Sequence, residues 1–398
     1  MHYITPDLEI VQSTSLTVSS HQTSILQEEE KAPLSYNSKI LILALSGIGD
    51  AIMFSPALSI LRNSFPEHTI DLLTMFKGTV DVYAENKDIN KIHFWNFLKK
   101  NPFASLKFLL SLRHKYSHTI TVFPANRWPY AIISWLIGST YRIGHSYLHV
   151  SNQQLQFLHT ISIKEIDTLH NCEENIRLVS LLGAKIPDIL PPLTIPLSEE
   201  SIMQVSLWKS KQENISATDI LIGFHAGSAI FKNQINKRWD YKEYAELAKL
   251  LISKYNAKIL LFGGPEEFEL NVAIKNDISL SHGAESVHIV QMPSLMGSIA
   301  LMHECKAFIS NDSGLMHIAA ALQIPQISIF GYTSHIHTAP WGNSNALVAR
   351  RALECSPCFY FSPKSAHCKF SGTEQEFSCI RKIKAQDIFH RLQALLDQ

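Results

Sequence analysis

One segment, Ala307–Gly331, constrains the fold more than any other part of the chain, because strand and helix signals alternate within it. Apolar, β-prone residues predict buried strands over Ala307–Asn311 and Gln326–Phe330. The turn Asp312–Gly314 opens a short helix, which must end before Pro325 because the residue preceding a proline disfavours helical backbone angles. A strand, a helix and a second strand in this order are typical of a parallel sheet covered by helices.

The start of that helix is a candidate anion site. Its first N–H groups have no partner within the helix, and the helix dipole places partial positive charge there. Ser313 is a suitable N-cap, Gly314 allows a ligand to approach the backbone, and His317 lies one turn further along the same face. A capped helix with a core histidine needs no ligand, so a purely structural role is the alternative.

Strand and helix signals also alternate in the rest of the chain. Lys39–Leu45 predicts a buried strand that is followed by a glycine turn, a helix and a strand over Thr69–Thr74. The same signals start again at Asp219, after the proline-rich segment Pro187–Pro196. The sequence therefore predicts an α/β protein with two doubly wound, Rossmann-like domains. The predicted boundaries are 1–37 for a polar, disordered extension, 38–190 for the first domain and 191–398 for the second.

The charges are distributed unevenly, although the formal net charge is zero. No acidic residue occurs between Asp88 and Glu165, where lysines and arginines alternate with tryptophans, tyrosines and other bulky apolar residues. Many of these aromatic residues are expected to pack in the core, but the missing acids favour an anionic acceptor or a membrane surface. Since no apolar run approaches the roughly 20 residues of a membrane span and no export signal is recognisable, a cytoplasmic location is expected.

The glycine turn after the first strand departs from a dinucleotide fingerprint. Gly47 and Gly49 are in place, but Ile52 replaces the third glycine, Asp50 would repel a pyrophosphate, and Asp71 lies at the wrong end of its strand. A carboxylate at the carboxyl end of a strand is better placed to act as a general base, and capping of the helix is its alternative role. An NAD-dependent oxidoreductase is the alternative function that this turn leaves open.

Polar residues of the second half follow the ends of predicted strands. Ligands of doubly wound sheets bind at the carboxyl ends of the strands, so these residues are expected to converge. They are Ser228, Lys237, Glu267, Asp312, Ser313, Gly314 and His317. Hydroxyl, amide and imidazole groups can donate to phosphate oxygens, lysine supplies a positive charge, and a carboxylate can accept from ribose hydroxyls. The set predicts a nucleotide-diphosphate sugar, although each residue alone has an ordinary surface role.

Four cysteines in the segment 355–379 have the spacing C-x2-C-x9-C-x10-C. They are Cys355, Cys358, Cys368 and Cys379. In a reducing compartment such thiols suggest a closed, structural site for zinc or iron. A set of free or redox-active thiols is the alternative, because the last gap does not repeat the first C-x2-C. Cys172 and Cys305 are predicted to be isolated core residues.

Four motifs together resemble those of glycosyltransferase family 9, the ADP-heptose heptosyltransferases of lipopolysaccharide core assembly. They are SGIGDA with SPAL behind it, HAGS followed by KRW, GGPEE, and NDSGLMHIAAAL. The resemblance implies a GT-B fold whose first domain takes the acceptor and whose second domain takes the ADP-sugar. It also implies inversion at the anomeric carbon without a catalytic metal or other cofactor.

By motif position, the resemblance assigns roles to individual residues. Asp50 would be the catalytic base and Lys237 would act on the diphosphate. The other donor-binding residues would be Gly49, Ser228, Glu267, Asp312, Ser313, Gly314 and His317. The chain departs from the family pattern at Asp240, where the family usually has proline, and over Gly331–His335.

The resemblance also bears on partners. It implies an anionic glycolipid acceptor at the cytoplasmic face of the inner membrane and no nucleic-acid partner. A protein acceptor is the alternative, because the four-cysteine tail resembles that of relatives that glycosylate autotransporter proteins and carry iron there. A GT-B protein that binds a nucleotide sugar without transferring it is a further alternative.

Overall fold

The computed structural model describes residues 8–12, 16, 31–148, 154–229, 231–359 and 367–397. The chain divides into two compact units. The first is built from the described residues of 15–196, and the second from those of 1–14, 197–360 and 364–398. The alternation of strands and helices that the sequence predicts is present in both.

Within the described residues, strands and helices are numbered along the chain. The strands are β1 (Leu8–Gln12), β2 (Lys39–Ala44), β3 (Thr69–Thr74), β4 (Lys91–Phe94), β5 (His118–Thr121), β6 (Tyr141–Ser146), β7 (Ile161–Lys164), β8 (Leu221–His225), β9 (Lys258–Leu261), β10 (Val287–Ile289), β11 (Ala307–Asn311), β12 (Gln326–Phe330) and β13 (Ala346–Arg351).

The α-helices are α1 (Ile48–Ile52), α2 (Ser55–Ser64), α3 (Lys77–Tyr83), α4 (Pro102–Ser111), α5 (Trp128–Ile137), α6 (Asn171–Ser180), α7 (Glu199–Ser210), α8 (Tyr241–Tyr255), α9 (Phe268–His282), α10 (Leu295–His303), α11 (Gly314–Ala321), α12 (His335–Thr338), α13 (Ser378–Arg381) and α14 (Ala385–Leu396). Short 3-10 helices lie at Gln156–Leu158, Phe231–Lys237, Pro265–Glu267 and Ala284–Ser286. None of the helices in the described ranges is long and apolar enough to cross a bilayer.

The first unit contains a six-stranded parallel sheet with the order β4-β3-β2-β5-β6-β7. β2 lies between β3 and β5, with Ile40 opposite Ile70 and His118. Its near-continuous apolar sequence is explained by this position, because both faces of a parallel strand are covered. α1 and the turn that precedes it follow the carboxyl end of β2.

The second unit contains a seven-stranded sheet with the order β1-β13-β12-β11-β8-β9-β10. All neighbouring strands are parallel except β1, which pairs antiparallel with β13. β8 and β11 are neighbours at the centre of the sheet, so the loops after both strands lie at the same edge.

β1 departs from the expectation of a disordered extension over 1–37. Its backbone adds to the open edge of β13, with Ile10 opposite Ala349, and Val11 packs against the buried Val348. Glu9 forms an ion pair with Arg350, whose guanidinium lies 2.8 Å from the carboxylate. The polar composition of the extension as a whole concealed this short apolar run. Residues 1–7, 13–15 and 17–30 lie outside the described residues.

The junction between the units lies at Leu197 rather than at Pro191. The whole proline-rich segment, Pro187–Pro196, belongs to the first unit, where the N–H of Thr194 donates to the hydroxyl of Ser55 over 3.1 Å and Leu193 is fully buried. A proline-rich composition marks the end of a domain, but it does not show which of its residues still pack on that domain.

Candidate active site

The N-terminus of α11 carries the candidate anion site in the second unit. Ser313 occupies the N-cap position with an extended backbone, but its side chain makes no cap hydrogen bond. Its hydroxyl lies instead 2.9 Å from Nδ1 of His225, at the end of the neighbouring strand β8. Ser313 therefore occupies the predicted N-cap position. Its hydroxyl, however, hydrogen-bonds with His225, which the sequence analysis did not single out.

His225 connects Ser313 with Glu267. Its Nε2 lies 3.3 Å from a carboxylate oxygen of Glu267, and the N–H of Gly264 donates to the same oxygen over 2.9 Å. Burial acts to raise the pKa of Glu267, but these interactions and the charge of Arg238 outweigh it and lower that pKa. Glu267 is thus a buried carboxylate at neutral pH, held by donors on several sides.

When Nε2 of His225 donates to this carboxylate, Nδ1 can accept a hydrogen bond from the hydroxyl of Ser313. Gly227 allows the carboxylate to approach, because a Cβ atom at that position would lie 1.7 Å from Oε1 of Glu267. The loops after β8, β9 and β11 are therefore joined through one histidine.

Lys237 and Asp312, both candidate residues, form a largely buried ion pair. The Lys237 ammonium lies 2.7 Å from the Asp312 carboxylate. Burial would raise the pKa of Asp312, but the charge and hydrogen bond of Lys237 lower it overall. The pair places one positive and one negative side chain beside the start of α11.

His317 is buried next to this pair. Its Nδ1 has no hydrogen-bond partner among the described residues, and only 3% of the residue is exposed. Burial lowers the pKa of His317 to about 4, against the opposing charge of Asp312. His317 is therefore neutral at pH 7, with a ring nitrogen that the surrounding protein leaves unsatisfied.

Ser228 is held by the loop that follows it. Its hydroxyl donates to the carbonyl of Gln234 over 3.0 Å, and the guanidinium of Arg238 donates to its backbone carbonyl over 2.8 Å. Arg238 also lies 3.7 Å from Glu267. Arg238 thus links the predicted residues Ser228 and Glu267, although the sequence indicates it only as part of the KRW motif.

Asn311 is a further residue that the sequence analysis missed. Its side-chain amide donates to the carbonyls of Ala226 and Gly227 over 2.8 and 3.1 Å. Its oxygen accepts from the N–H of Trp239 and the hydroxyl of Tyr244. A fully buried asparagine at the carboxyl end of an apolar strand is the signal that could have found it, since such a side chain must satisfy its polar atoms locally.

Asp50 and Gly49 lie in the first unit, in the short helix α1 after β2. The hydroxyl of Tyr130 donates to the carbonyl of Leu45, and the hydroxyl of Ser46 donates to the carbonyl of Pro124, so this turn is tied to the loop after β5. Burial raises the pKa of Tyr130, and the charge of Asp50 adds to that shift. Asp50 is a partly exposed carboxylate at the carboxyl end of the central strand of its sheet.

Asp71 argues against the dinucleotide alternative. It lies within β3, where the hydroxyl of Tyr116 donates to its carboxylate over 2.5 Å and His93 lies 3.5 Å from the same oxygen. Burial acts to raise the pKa of Asp71, but His93 and Tyr116 lower it. The carboxylate of Asp71 is buried and hydrogen-bonded within the first unit, so it is not available to accept from a ribose hydroxyl.

The four cysteines of segment 355–379 line one cavity of about 260 Å³, together with Tyr332 and Phe377. Burial and the neighbouring thiols raise the pKa of Cys379 to about 12. Among the described residues, which omit 360–366, no group of three or more His, Cys, Asp or Glu side chains is arranged to hold a metal ion. The thiols are neighbours, and a metal on them stays a prediction. Cys172 and Cys305 are buried, as predicted.

The chain is similar to known proteins over most of its length. The family model of glycosyltransferase family 9 (heptosyltransferase) matches residues 106–367. Lipopolysaccharide heptosyltransferase 3 of Escherichia coli is 24% identical over 309 residues, which cover 74% of this chain and 84% of that protein. The structure of E. coli ADP-heptose lipopolysaccharide heptosyltransferase II matches with a TM-score of 0.69 at 22% identity, over 90% of this chain and 99% of that chain.

A third similarity concerns the iron-containing dodecameric glycosyltransferase TibC from enterotoxigenic E. coli. It matches with a TM-score of 0.53 at 13% identity, over 92% of this chain and 77% of that chain. Likeness at this level of identity is evidence for the fold alone. The predicted fold class, two Rossmann-like units of the GT-B type, is confirmed by these matches.

Proposed function

Because the chain belongs to glycosyltransferase family 9 and is therefore a glycosyltransferase, we propose that it moves a heptose or a related sugar from an ADP-sugar to an anionic glycolipid. The acceptor would be a hydroxyl of the lipopolysaccharide core, as the names of the relatives suggest. The observation that carries the proposal is the start of α11, where Ser313 leaves the helix N–H groups without a side-chain cap and Lys237 is close.

The donor diphosphate would bind at this helix terminus. Backbone N–H groups at a helix N-terminus attract phosphate, and the ammonium of Lys237 would share its charge between Asp312 and the diphosphate. His317, neutral and with an unsatisfied ring nitrogen, would supply a further polar contact. Ser228, Gly314 and Glu267 would complete the donor site of the second unit, with Glu267 accepting from the ribose. Gly49, in the first unit, stays a prediction for donor binding.

The reaction we propose is a single displacement with inversion. The acceptor oxygen forms a bond to the anomeric carbon while the bond from that carbon to the diphosphate oxygen breaks. Asp50 takes the proton of the acceptor hydroxyl, and ADP leaves with the negative charge that Lys237 and the α11 terminus stabilise. No cofactor is required by this scheme.

Calorimetry with ADP-, GDP- and UDP-sugars tests the donor. We expect ADP-heptose to bind and Lys237→Gln to weaken binding at least about tenfold, since a charged hydrogen bond is lost. Lys306→Gln, which changes an exposed lysine of the same unit, is the matched control and should bind normally. Tight binding of NADH in place of the ADP-sugar would reject the proposal in favour of an oxidoreductase.

Product analysis tests the acceptor. Incubation with ADP-heptose and a truncated lipopolysaccharide core should yield a heptosylated glycolipid, because the acid-free stretch between Asp88 and Glu165 suits a phosphorylated acceptor. Release of ADP only in the presence of a polypeptide would favour a protein acceptor instead. Equal ADP release with and without acceptor, or none with either, would contradict transfer and leave a hydrolase or a binding protein.

A structural zinc or iron ion on Cys355, Cys358, Cys368 and Cys379 belongs to the proposal as a stabilising element without a catalytic role. The shared cavity and the chemistry of four thiols support it. Elemental analysis of the purified protein should give one metal ion per chain, lost in Cys355→Ser/Cys358→Ser. Cys305→Ser, which alters an isolated buried cysteine, is the control that should retain the metal.

A further inference from the structure

Helices α4 and α5 of the first unit bury one side in the core and expose apolar residues on the opposite side. Leu109 of α4 and Ile133 of α5 lie in the same hydrophobic core. The residues that point away from this core define an apolar face: Phe103, Leu106 and Leu110 on α4, and Trp128 and Trp135 on α5. Phe103 is 85% exposed, and both tryptophans are about half exposed at 54% and 48%.

The spacing of these residues makes a continuous stripe on each helix. Positions i, i+3 and i+7 lie on one side of an α-helix, which is the relation between Phe103, Leu106 and Leu110. Trp128 and Trp135 are likewise separated by seven residues. An apolar stripe at helical spacing normally packs against another part of the protein or a partner. Among the described residues, no other segment covers these two stripes, and they are exposed to water.

The two stripes lie on neighbouring helices, because α4 and α5 pack against each other. The segment before α4 is fixed to it, since Trp95 stacks on Phe108 with ring centroids 4.5 Å apart and donates to the hydroxyl of Ser105. Leu98, in that segment, is 75% exposed and extends the apolar face.

Exposed cations occur on α4 and in the segments that flank α4 and α5. They are the exposed Lys99, Lys100, Lys107, Arg113, Lys115 and Arg127. The sequence offers no acidic residue between Asp88 and Glu165 to neutralise them locally. Lys100 lies 5.7 Å from the ring centroid of Trp95, so one of the cations is held beside an aromatic ring.

We propose that this apolar face docks on an anionic lipid bilayer, with α4 and α5 lying flat in the headgroup region. Exposed tryptophans and apolar side chains, together with exposed lysines and arginines on α4 and in the segments that flank both helices, match the apolar and anionic layers of such a surface. Contact with the same face of a second copy would bring cations against cations, so charge complementarity favours lipid. The inference depends on the proposed function only for the expectation that the acceptor is a lipid.

Vesicle binding of the full chain tests this surface without any substrate. Wild-type protein should sediment with vesicles of phosphatidylcholine and phosphatidylglycerol at least about tenfold more tightly than with phosphatidylcholine alone, and salt should weaken the binding. Phe103→Ser/Trp128→Ser should reduce binding at least about tenfold. Lys99→Gln/Lys107→Gln should reduce it by roughly fivefold per lysine on the anionic vesicles alone.

Met203→Ser/Leu280→Ser is the matched control, since it removes two exposed apolar side chains, 66% and 88% accessible, from the second unit. It should bind vesicles like the wild type. Brominated lipids should quench tryptophan fluorescence in the wild type and much less in Trp128→Phe/Trp135→Phe, which places the contact at this face.

Three results would overturn the proposal. They are absence of wild-type binding to anionic vesicles, unchanged binding by the Phe103→Ser/Trp128→Ser variant, and a self-association in solution that this variant abolishes. Calorimetric binding of ADP-heptose in the second unit is measured separately, so failure of the lipid contact and failure of the proposed function are distinguishable. Thermal unfolding of each variant verifies that the fold is retained.

Discussion

The two units place a turn and a helix after a central strand of their sheets, but the charged side chains around the two turns differ. In the first unit, β2 leads through Gly47 into α1, whose first turn carries Asp50. In the second unit, β11 leads through Ser313 into α11, whose first turn has no acidic residue and lies beside Lys237. The first turn therefore carries a carboxylate within its helix, whereas the second has a helix terminus without a side-chain cap beside the Lys237–Asp312 ion pair.

Under the proposed mechanism, this difference would assign proton transfer to one turn and diphosphate binding to the other. A carboxylate at the carboxyl end of a central strand is suited to accept a proton. A helix terminus without a side-chain cap, next to an ammonium group, is suited to hold a diphosphate. The predictions below test whether the two turns are specialised in this way.

The largest effect is expected at the turn of the first unit. Asp50→Asn removes the proposed base while keeping the size of the side chain, so kcat should fall by about 10²–10⁴-fold. The Kd for ADP-heptose should stay within about twofold, because the proposed diphosphate contacts are in the second unit. Turnover close to that of the wild type would remove Asp50 from the mechanism, and a lost donor affinity would mean that its role is binding.

The next effect is expected at the ion pair of the second unit. Lys237→Met leaves the buried Asp312 carboxylate without its partner, which should lower the free energy of unfolding by about 3–5 kcal/mol. Lys237→Met/Asp312→Asn removes both charges and should recover most of that loss in urea unfolding. Donor binding should remain weak in both variants, since the ammonium is absent. Recovery of donor affinity in the double variant would contradict a direct role of Lys237 on the diphosphate.

His317 is expected to make the free energy of unfolding depend on pH. Its pKa of about 4 in the folded protein lies below the ordinary value of 6.5, so the unfolded chain binds more protons between these values and stability falls as the pH falls through that window. Between pH 7 and pH 4.5 the histidine should account for about 2 kcal/mol of lost stability. This loss is measured by comparing the unfolding free energies of the wild type and of His317→Gln between pH 7 and pH 4.5. If the unfolding free energy of the variant falls with pH as steeply as that of the wild type, another group titrates in this range.

The strands and the turns of both units could be predicted from the sequence, because apolar runs followed by glycine turns are local features. The positions of Asp50 and of Asp312 through His317 follow from those turns. The hydrogen bonds could not be predicted, since the Ser313 hydroxyl could equally have capped its own helix. Its partner His225 is distant in sequence and becomes a neighbour only through the pairing of β8 with β11.

Two other features depended on tertiary structure in the same way. Asn311 and Arg238 gain their roles from loops that the sheet brings together, which no spacing along the chain could indicate. β1 was hidden in a polar extension, because a strand at a sheet edge is stabilised by the backbone of its neighbour more than by its own composition.

The smallest effect is expected at two glycines that follow central strands, Gly47 after β2 and Gly227 after β8. Gly227→Ala would place a Cβ atom 1.7 Å from the Glu267 carboxylate, so the carboxylate must move away from His225. The free energy of unfolding should fall by about 1–2 kcal/mol, and ADP-sugar binding should weaken as the ribose contact is lost. Gly47→Ala is the matched control: its nearest neighbour, Asp50, is 3.9 Å away and its φ of −64° suits any residue. Its stability should stay within about 0.5 kcal/mol of the wild type. Equal losses in the two variants would show that the close approach of Glu267 to Gly227 does not require a glycine there any more than the open surroundings of Gly47 do.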